Sequence, residues 1–255
     1  METTTITMEK MMIDIHTHIL PNIDDGCKSI DDSVNTIKKL KELGFSKIFL
    51  TPHYMKGSNY QANNDIKITK YNKLKELVKN ENMDIELCLG NEIYINNDID
   101  NLIISKEIYP LNDTRYLLIE LPLYNEINSV EDYLYELKLR GYIPIIAHPE
   151  RYTYFQKKYN KMVELYECGV LFQSNYGSIL GIYGKEAKKL LKYALKNDMI
   201  SFLATDIHSS NSSLIKDFKK AIKKIKRIVG NKRFEDLTFN NANKVIDNKK
   251  VEYFE

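Results

Sequence analysis

The chain reads Met12-Ile-Asp-Ile-His-Thr-His-Ile19 close to its first residue. This apolar, β-rich run predicts a strand, and His16 and His18 lie two positions apart on it, so they face the same side. Further runs of this kind alternate with runs of helical period and make about seven strand–helix units. Repeated units of this type predict parallel strands.

Candidate polar residues fall near the carboxyl ends of the predicted strands, which cover residues 12–19, 47–51, 85–89, 116–121, 143–147, 170–173 and 201–205. A closed barrel gathers such ends around one mouth, whereas an open doubly wound sheet spreads them along a crevice. We therefore expect an α/β fold that is a TIM-barrel-like (β/α) barrel. No linker interrupts the pattern, so we expect one domain over 12–255 after a flexible tail, 1–11.

Helical period defines the segments between the strands. Ser29 has the position of an N-cap with Asp32 three residues on, and Gly44 ends that helix. Near the carboxyl end, an apolar stripe that includes Phe218 and Ile225 is surrounded by lysines. We expect a basic terminal helix that packs on the barrel with a solvated face. The alternative is a basic surface for a membrane or an acidic partner.

Bulk composition limits the class of protein. The net charge of the 255 residues is +2, too small to indicate nucleic acid as the main partner. No apolar run approaches the roughly 20 residues that cross a bilayer, and the Thr-rich start does not fit a secretory signal. We therefore expect a cytoplasmic protein. Cys27, Cys88 and Cys168 are scattered, which excludes a disulfide framework or zinc finger.

Histidine is distributed in an unusual way. The chain has five histidines, and each lies at or just after the end of a predicted strand: His16, His18, His53, His148 and His208. Carboxylates occupy the same kind of position: Asp25, Glu92, Glu120 and Asp206. Any one such histidine is more often a structural residue than a ligand. Buried imidazoles and carboxylates without partners would be costly, however, and a shared metal cluster would satisfy all of them.

The chemistry of these nine side chains indicates the kind of metal. Imidazole and carboxylate without thiolate suit Mn, Fe or Zn, and nine ligands suit two or three divalent ions. Three such ions beside four carboxylates would leave a charge of about +2, which matches a phosphate monoester dianion. We expect Mn²⁺, with Fe or Zn as alternatives. Asp14 faces the same side as His16, so it either orients an imidazole or caps the strand end.

The residues occur in seven short motifs, which run in order through the chain: Asp14-Ile-His-Thr-His18, Asp24-Asp-Gly-Cys-Lys-Ser29, Thr51-Pro-His-Tyr-Met-Lys-Gly57, Glu92-Ile-Tyr94, Leu111-Asn-Asp-Thr-Arg-Tyr116 with Ile119-Glu120, Ala147-His-Pro-Glu-Arg-Tyr152, and Thr205-Asp-Ile-His208. In combination they resemble the PHP (polymerase and histidinol phosphatase) superfamily, and within it the capsule-biosynthesis tyrosine phosphatases of the CpsB/CapC/YwqE type.

The resemblance implies a distorted seven-stranded PHP barrel and a three-metal site that usually holds manganese. It implies phosphotyrosine substrates, typically the tail of a bacterial tyrosine kinase that controls capsular or exopolysaccharide export, and a place at the inner membrane surface through that kinase. The same nine residues would be the metal ligands, and Arg151 would contact phosphate. A second family arginine is replaced by Ser209-Ser-Asn-Ser-Ser213. Lys28 and Lys56 are candidate substitutes, although either could be a plain surface lysine.

A cysteine nucleophile is a different way to hydrolyse phosphotyrosine. A cysteine nucleophile needs an arginine six positions later, but those positions hold Ser33, Tyr94 and Ser174. The sequence therefore excludes a cysteine-based tyrosine phosphatase. Two alternatives remain: a phosphatase of small molecules such as histidinol phosphate, and a non-catalytic metal-binding partner of a kinase.

Overall fold

Strands and helices alternate along residues 11–96 and 98–252, the part of the chain that a computed structural model describes. Residues 1–10 of the predicted tail lie outside this part. The strands are β1 Met12–Asp14, β2 Phe45–Leu50, β3 His53–Tyr54, β4 Glu86–Leu89, β5 Glu92–Tyr94, β6 Tyr116–Glu120, β7 Ile143–Ala147, β8 Leu171–Asn175 and β9 Phe202–Ala204. The helices are α1 Ile30–Glu42, α2 Asn64–Asn80, α3 Ile99–Ile104, α4 Val130–Leu139, α5 Thr153–Lys157, α6 Tyr159–Glu167, α7 Lys185–Lys196, α8 Ser213–Glu235 and α9 Asn241–Ile246.

Every strand pair in these residues is parallel, as predicted. One sheet has the order β1-β2-β4 and the other the order β3-β5-β6-β7-β8-β9. The described chain contains nine strands rather than seven, because β2 and β4 each continue after two residues into the short strands β3 and β5.

Backbone contacts connect the two sheets where β1 and β9 end. Thr17, just after β1, forms an isolated parallel bridge with Ile207, just after β9. His18 N donates to Ile207 O at 2.9 Å, and Asp206 N donates to His16 O at 3.0 Å. The first and last strands of the chain are therefore neighbours, which brings their polar carboxyl ends together.

Apolar residues cover both faces of the central strands, as expected for parallel strands. Leu117 and Ile119 of β6 pack in the buried cluster that also contains the apolar residues of the helices. Leu118, on the opposite face, packs with Ile145 and Phe202 in a second buried cluster. Because successive side chains of β6 point to opposite faces, this strand contributes residues to both buried clusters.

The predicted helix signals are confirmed. Ser29 Oγ accepts a hydrogen bond from Asp32 N at 3.1 Å and caps α1. Gly44 has φ of +99°, a left-handed conformation that glycine adopts without steric cost. At the other end of the chain, α8 buries Phe218 and Ile225, and most of its lysines are exposed, as expected for a packed terminal helix.

Candidate metal centre

The candidate ligands lie where the parallel strands end. His16 and His18 follow β1, His53 begins β3 directly after β2, and His148 and His208 follow β7 and β9. The carboxylates sit at equivalent points: Asp25 in the loop after β1, Glu92 at the start of β5, Glu120 at the end of β6 and Asp206 after β9. Because the carboxyl ends of parallel strands share one edge, nine residues distant in sequence converge.

The loop that carries Asp25 is held tightly against β1. Cys27 N donates to His18 O at 3.0 Å. A Cβ on Gly26 would lie only 1.9 Å from the same oxygen, so only glycine permits this approach. The close packing keeps Asp25 beside the histidines, where its Oδ1 lies 3.6 Å from His53 Nε2 and 3.5 Å from His208 Nε2.

Glu92 is the central carboxylate of the cluster. Its Oε2 lies 3.2 Å from both His16 Nε2 and His18 Nε2 and 3.0 Å from His53 Nδ1. Its Oε1 lies 2.9 Å from His148 Nε2. One buried carboxylate therefore faces four of the five imidazoles.

The candidate ligand atoms form four overlapping groups. One contains His16, His18 and Asp206, and another contains His16, Glu92 and His148. The remaining two groups are His53, Glu92 and Glu120, and then His18, Asp25, His53 and His208. Within each group the atoms lie within 4.8 Å of one another, and all nine residues named from the sequence belong to at least one.

The spacing of donor atoms fits a cation. His16 Nε2 and His18 Nε2 are 3.1 Å apart, and Asp206 Oδ1 lies 3.6 and 3.3 Å from them. Four donors each about 2.1 Å from a tetrahedral ion would be separated by roughly 3.4 Å. Glu92 Oε2 is buried and forms no hydrogen bond of normal geometry despite its imidazole neighbours. An orphaned buried carboxylate oxygen is costly, and a divalent cation would remove that cost.

The electrostatics of the cluster also demand positive charge. Burial opposes the charged imidazole, but Glu92 and Asp206 outweigh it and raise the pKa of His16 to about 9. Burial disfavours the charged form of Glu92, yet the His16 and His53 charges hold its pKa well below its usual range. Cations and protons therefore compete for the same nitrogens.

Two other groups of the cluster have different properties. Burial and the Arg151 charge lower the pKa of His148 to about 4, so its imidazole is neutral, the form that binds metals. Burial and the negative charge of Glu92 raise the pKa of Glu120 to about 7.

The other ring nitrogens are held by a surrounding set of partners. His16 Nδ1 bonds Gln173 Oε1 at 2.8 Å, and His18 Nδ1 bonds Asp24 Oδ2 at 2.7 Å. Asp24 also accepts from the backbone of His53 and Gly26. Neither Asp24 nor Gln173 is among the site residues predicted from the sequence. The motif containing Asp24 was a usable signal, whereas Gln173 showed none beyond ending a predicted strand.

Asp14 does not contact an imidazole. Its Oδ2 accepts from Thr205 Oγ1 at 2.5 Å, and its Oδ1 accepts from Thr205 N at 3.1 Å and from His16 N at 3.4 Å. Of the two hypotheses for Asp14, the strand-end cap is therefore correct. Asp14 ties β1 to β9, because both strands run side by side.

Arg151 lies at the edge of the cluster, in the turn Pro149–Arg151 that follows β7. Its Nη1 donates to Asp206 Oδ2 at 3.0 Å. Its guanidinium carbon lies 4.8 Å from the centre of the Tyr183 ring. The side chain is one quarter exposed, at 25%, so it is fixed in position but open to solvent.

The two candidate lysines have other partners. Lys28 Nζ donates to the backbone oxygen of Asp24 at 3.0 Å, which keeps it near Asp25. Lys56 forms an ion pair with Asp98. In the stretch that lacks the second arginine, the Ser210 backbone oxygen accepts from Lys39 Nζ at 2.8 Å, so a lysine from α1 approaches it.

The sequence has close relatives among named proteins. Residues 12–247 match the family described as capsular polysaccharide synthesis, CpsB/CapC. The chain is 39% identical over 202 residues to the putative tyrosine-protein phosphatase CapC of Staphylococcus aureus, covering 78% of this chain and 77% of that protein. It is 34% identical over 198 residues to the tyrosine-protein phosphatase YwqE of Bacillus subtilis (strain 168), covering 78% of each.

Solved structures agree with this assignment. This chain matches a crystal structure with a TM-score of 0.87 and 30% identity. That structure is one of those of YwqE from Bacillus subtilis and CpsB from Streptococcus pneumoniae, called unique metal-dependent tyrosine phosphatases. The match covers 95% of this chain and 97% of that one. A histidinol phosphate phosphatase from Lactococcus lactis subsp. lactis, covering 85% of this chain and 93% of its own, has a TM-score of 0.54 at 14% identity and shares the fold alone. The family resemblance seen in the sequence is confirmed: the chain belongs to the CpsB/CapC family of capsular polysaccharide synthesis proteins.

Proposed function

We propose that this protein is a metal-dependent tyrosine phosphatase that hydrolyses phosphotyrosine in proteins. The observation that carries the proposal is the convergence of five imidazoles and four carboxylates around the buried Glu92, with the Arg151 guanidinium at the rim. The names of the relatives in two genera point to the same activity. The donor set suits divalent ions that accept both nitrogen and oxygen, and we propose Mn²⁺ as the ion, in two or three sites.

The nine ligands would hold the cations by the imidazole nitrogens and carboxylate oxygens that face one another. When bound, divalent cations neutralise phosphate charge and activate water for attack on phosphorus. Gln173 and Asp24 would orient His16 and His18 by holding their other ring nitrogens. The rigid cluster thus needs little rearrangement to receive its ions.

Arg151 would bind the phosphate group. Its guanidinium presents donors in a planar fork that matches two phosphate oxygens. Asp206 and the Tyr183 ring fix the side chain, which lowers the entropy lost on binding. The leaving group is a phenol with a pKa of about 10, so it needs less help from a general acid than an alkyl alcohol. All five imidazoles can therefore serve the metal cluster.

We also propose that the strands form the distorted seven-stranded barrel of a single domain that begins at residue 12. The bridge between Thr17 and Ile207 supports closure between β1 and β9. The pairs β2–β3 and β4–β5 would each count as one interrupted strand, because Gly90 N donates to Leu50 O and Glu92 N to Pro52 O across the interruptions.

The proposed substrate is the phosphotyrosine-bearing tail of a bacterial tyrosine kinase that controls capsular or exopolysaccharide synthesis. The family description supports the capsule context. We propose a cytoplasmic location, at the inner membrane surface when the kinase is bound. No helix in the described ranges is long and apolar enough to span a membrane.

Turnover of three substrates tests the proposal: p-nitrophenyl phosphate, a phosphotyrosine peptide and histidinol phosphate. Chelation should abolish hydrolysis, and re-addition of Mn²⁺ should restore it better than Mg²⁺ or Zn²⁺. We expect the phosphotyrosine peptide to be hydrolysed faster than histidinol phosphate. A preference for histidinol phosphate would assign the protein to small-molecule phosphatases, and no release of phosphate from any aryl ester by the metal-loaded protein would make it a non-catalytic binding partner.

A further inference from the structure

Positive charge is concentrated on two consecutive helices. In sequence, α8 contains nine basic and two acidic residues, a net charge of +7, and α7 contains five lysines and one glutamate, a net charge of +4. Since the whole chain carries +2, all other residues together carry −9. The protein is therefore strongly polarised, which its overall composition conceals.

The exposed basic residues of each helix lie on one side. On α7 they are spaced four, three and four residues apart, and on α8 they follow the same helical spacing. We call these nine residues the basic wall: Lys185, Lys189, Lys192, Lys196, Lys216, Lys219, Lys220, Lys223 and Arg227. The opposite sides of the helices are buried against the protein through Leu190, Leu191, Phe218 and Ile225. Because α7 and α8 contact one another, the two stripes belong to neighbouring helices.

Little of this charge is neutralised within the two helices. Lys189 pairs with Glu186 at 2.8 Å, and Lys220 pairs with Asp217 at 2.8 Å. Both pairs are more than half exposed, and exposed pairs contribute little energy and remain accessible to competing anions. The wall therefore presents a broad positive potential to solvent.

The wall adjoins the candidate metal centre at one end. Tyr183, whose ring packs on Arg151, precedes the first wall lysine by two residues. His208 lies between the end of β9 and the start of α8, only a few residues before the helix. The first turn of α8 is therefore close in sequence to the metal centre. A surface that bound the wall would thus lie beside the mouth that receives substrate.

The residue types indicate the partner. Eight of the nine wall residues are lysine and only one is arginine. Specific protein interfaces are enriched in arginine and aromatic residues and depleted in lysine. Clusters of lysine on a broad face suit a diffuse layer of anionic headgroups, which requires charge but no fixed geometry. We infer that the basic wall docks this protein on an anionic lipid surface. This docking goes beyond the proposed phosphatase activity and does not depend on it.

Vesicle co-sedimentation of the manganese-loaded full chain tests the inference. The protein should sediment with vesicles that contain phosphatidylglycerol in phosphatidylcholine and remain in solution with phosphatidylcholine alone. Binding should vanish at about 1 M salt, where electrostatic attraction is screened beyond about 3 Å. Failure to bind the anionic vesicles at low salt would overturn the inference.

A matched pair of triple variants locates the binding surface. Lys192→Gln, Lys219→Gln and Lys223→Gln together should weaken vesicle binding roughly hundredfold, because each lysine near an anionic surface contributes about fivefold. The control removes three exposed lysines of α2: Lys73→Gln, Lys75→Gln and Lys79→Gln. It should bind like the unmodified protein, and both variants should hydrolyse p-nitrophenyl phosphate normally, which verifies folding.

Three results would count against lipid docking by the wall. Equal losses in the two triple variants would show that net charge alone drives binding. An unchanged affinity in the wall variant would place the lipid contact elsewhere. Retention on immobilised polyglutamate or RNA, lost in the wall variant, with no vesicle binding, would assign the wall to an acidic protein or nucleic-acid partner instead.

Discussion

Glu92 illustrates how a single carboxylate organises this site. Both of its oxygens face imidazole nitrogens, and its side chain is completely buried. A carboxylate in this position could serve more than one cation. Glu92 lies within 4 Å of four imidazoles, whereas Asp206 lies within 4 Å of three. Glu92 belongs to two of the four ligand groups, so loss of its charge should affect more than one metal position.

Glu92→Gln should reduce both metal content and turnover. The substitution keeps the side-chain volume but removes the negative charge, and we expect a loss greater than the roughly 10–100-fold that follows loss of an outer partner of a ligand. Steady-state kinetics and metal analysis of the purified variant would measure it. Glu86→Gln, at an exposed glutamate paired with Lys47, is the control. Full metal content in Glu92→Gln would contradict the central role.

Arg151→Lys should separate substrate capture from metal binding. Lysine keeps the charge but loses the planar fork, so we expect KM for an aryl phosphate to rise about tenfold with the metal content unchanged. Comparison of KM, kcat and metal content between the variant and the unmodified enzyme checks this. If the metal content falls instead, Arg151 acts mainly by holding Asp206.

At the scale of elements, two strand-to-loop junctions adopt unusual backbone conformations. His148 has φ of +33° and Asp206 has φ of +52°, in or near the left-handed region that residues with a Cβ rarely adopt. His148 directly follows β7, Asp206 comes two residues after the end of β9, and both side chains belong to the cluster. Such conformations persist where the surrounding contacts compensate for them, which is common at functional sites.

A buried lysine connects α2 to the strands of the site. Lys67 is fully buried, and its Nζ donates to Asn91 Oδ1 at 2.8 Å and to the Glu107 backbone oxygen at 2.9 Å. Asn91 in turn donates to Pro52 O at 2.9 Å. Asn91 precedes Glu92, and Pro52 precedes His53. Through Asn91, Lys67 therefore stabilises the gap between β2 and β3, which precedes His53, and the gap between β4 and β5, which precedes Glu92.

The Lys67 contact predicts a specific pH dependence. Burial lowers the pKa of Lys67 to about 7 from an ordinary value of 10.5. Between these values the unfolded chain binds more protons than the folded one, so this group favours folding increasingly as pH rises from about 7 to 10.5. The free energy of unfolding of Lys67→Met should lack this rise. Chemical denaturation at several pH values measures the difference, and parallel curves for the two proteins would contradict it.

For the whole molecule, the metal cluster links stability to pH and to cations. In the metal-free protein the pKa of His16 is raised to about 9 by Glu92 and Asp206 against the effect of burial. This group stabilises the fold fully below its ordinary pKa of 6.5, and the contribution is lost as pH rises through 9. Bound cations would replace the protons, so the loaded protein should not share this loss.

Thermal unfolding with chelator and with Mn²⁺ tests that linkage. Lys67 has the same effect on both forms, so we expect the difference in Tm between the Mn²⁺-loaded and the chelated protein to grow from pH 6.5 to pH 9. A shift of several degrees on loading would correspond to about 1–2 kcal/mol for a chain of this size. Identical pH profiles with and without Mn²⁺ would show that the histidines hold no cation.

Local signals in the sequence determined much of this protein. Ser29 and Gly44 mark the ends of α1, β7 has the predicted bounds, and the nine candidate ligands were identified by residue type at strand ends. Helical and strand periods and turn chemistry depend on neighbouring residues, so one chain suffices to reveal them. The short strands β3 and β5 were missed because two and three residues carry no detectable period.

Tertiary structure alone decided how these parts meet. The sequence did not indicate that Glu92 is the central carboxylate, that Asp24 and Gln173 hold imidazoles, that Asp14 bonds Thr205, or that α7 and α8 contact one another. Each of these facts is a distance between residues far apart in the chain. Such distances follow from strand register and from the packing of side chains in three dimensions, which no local run of residues encodes.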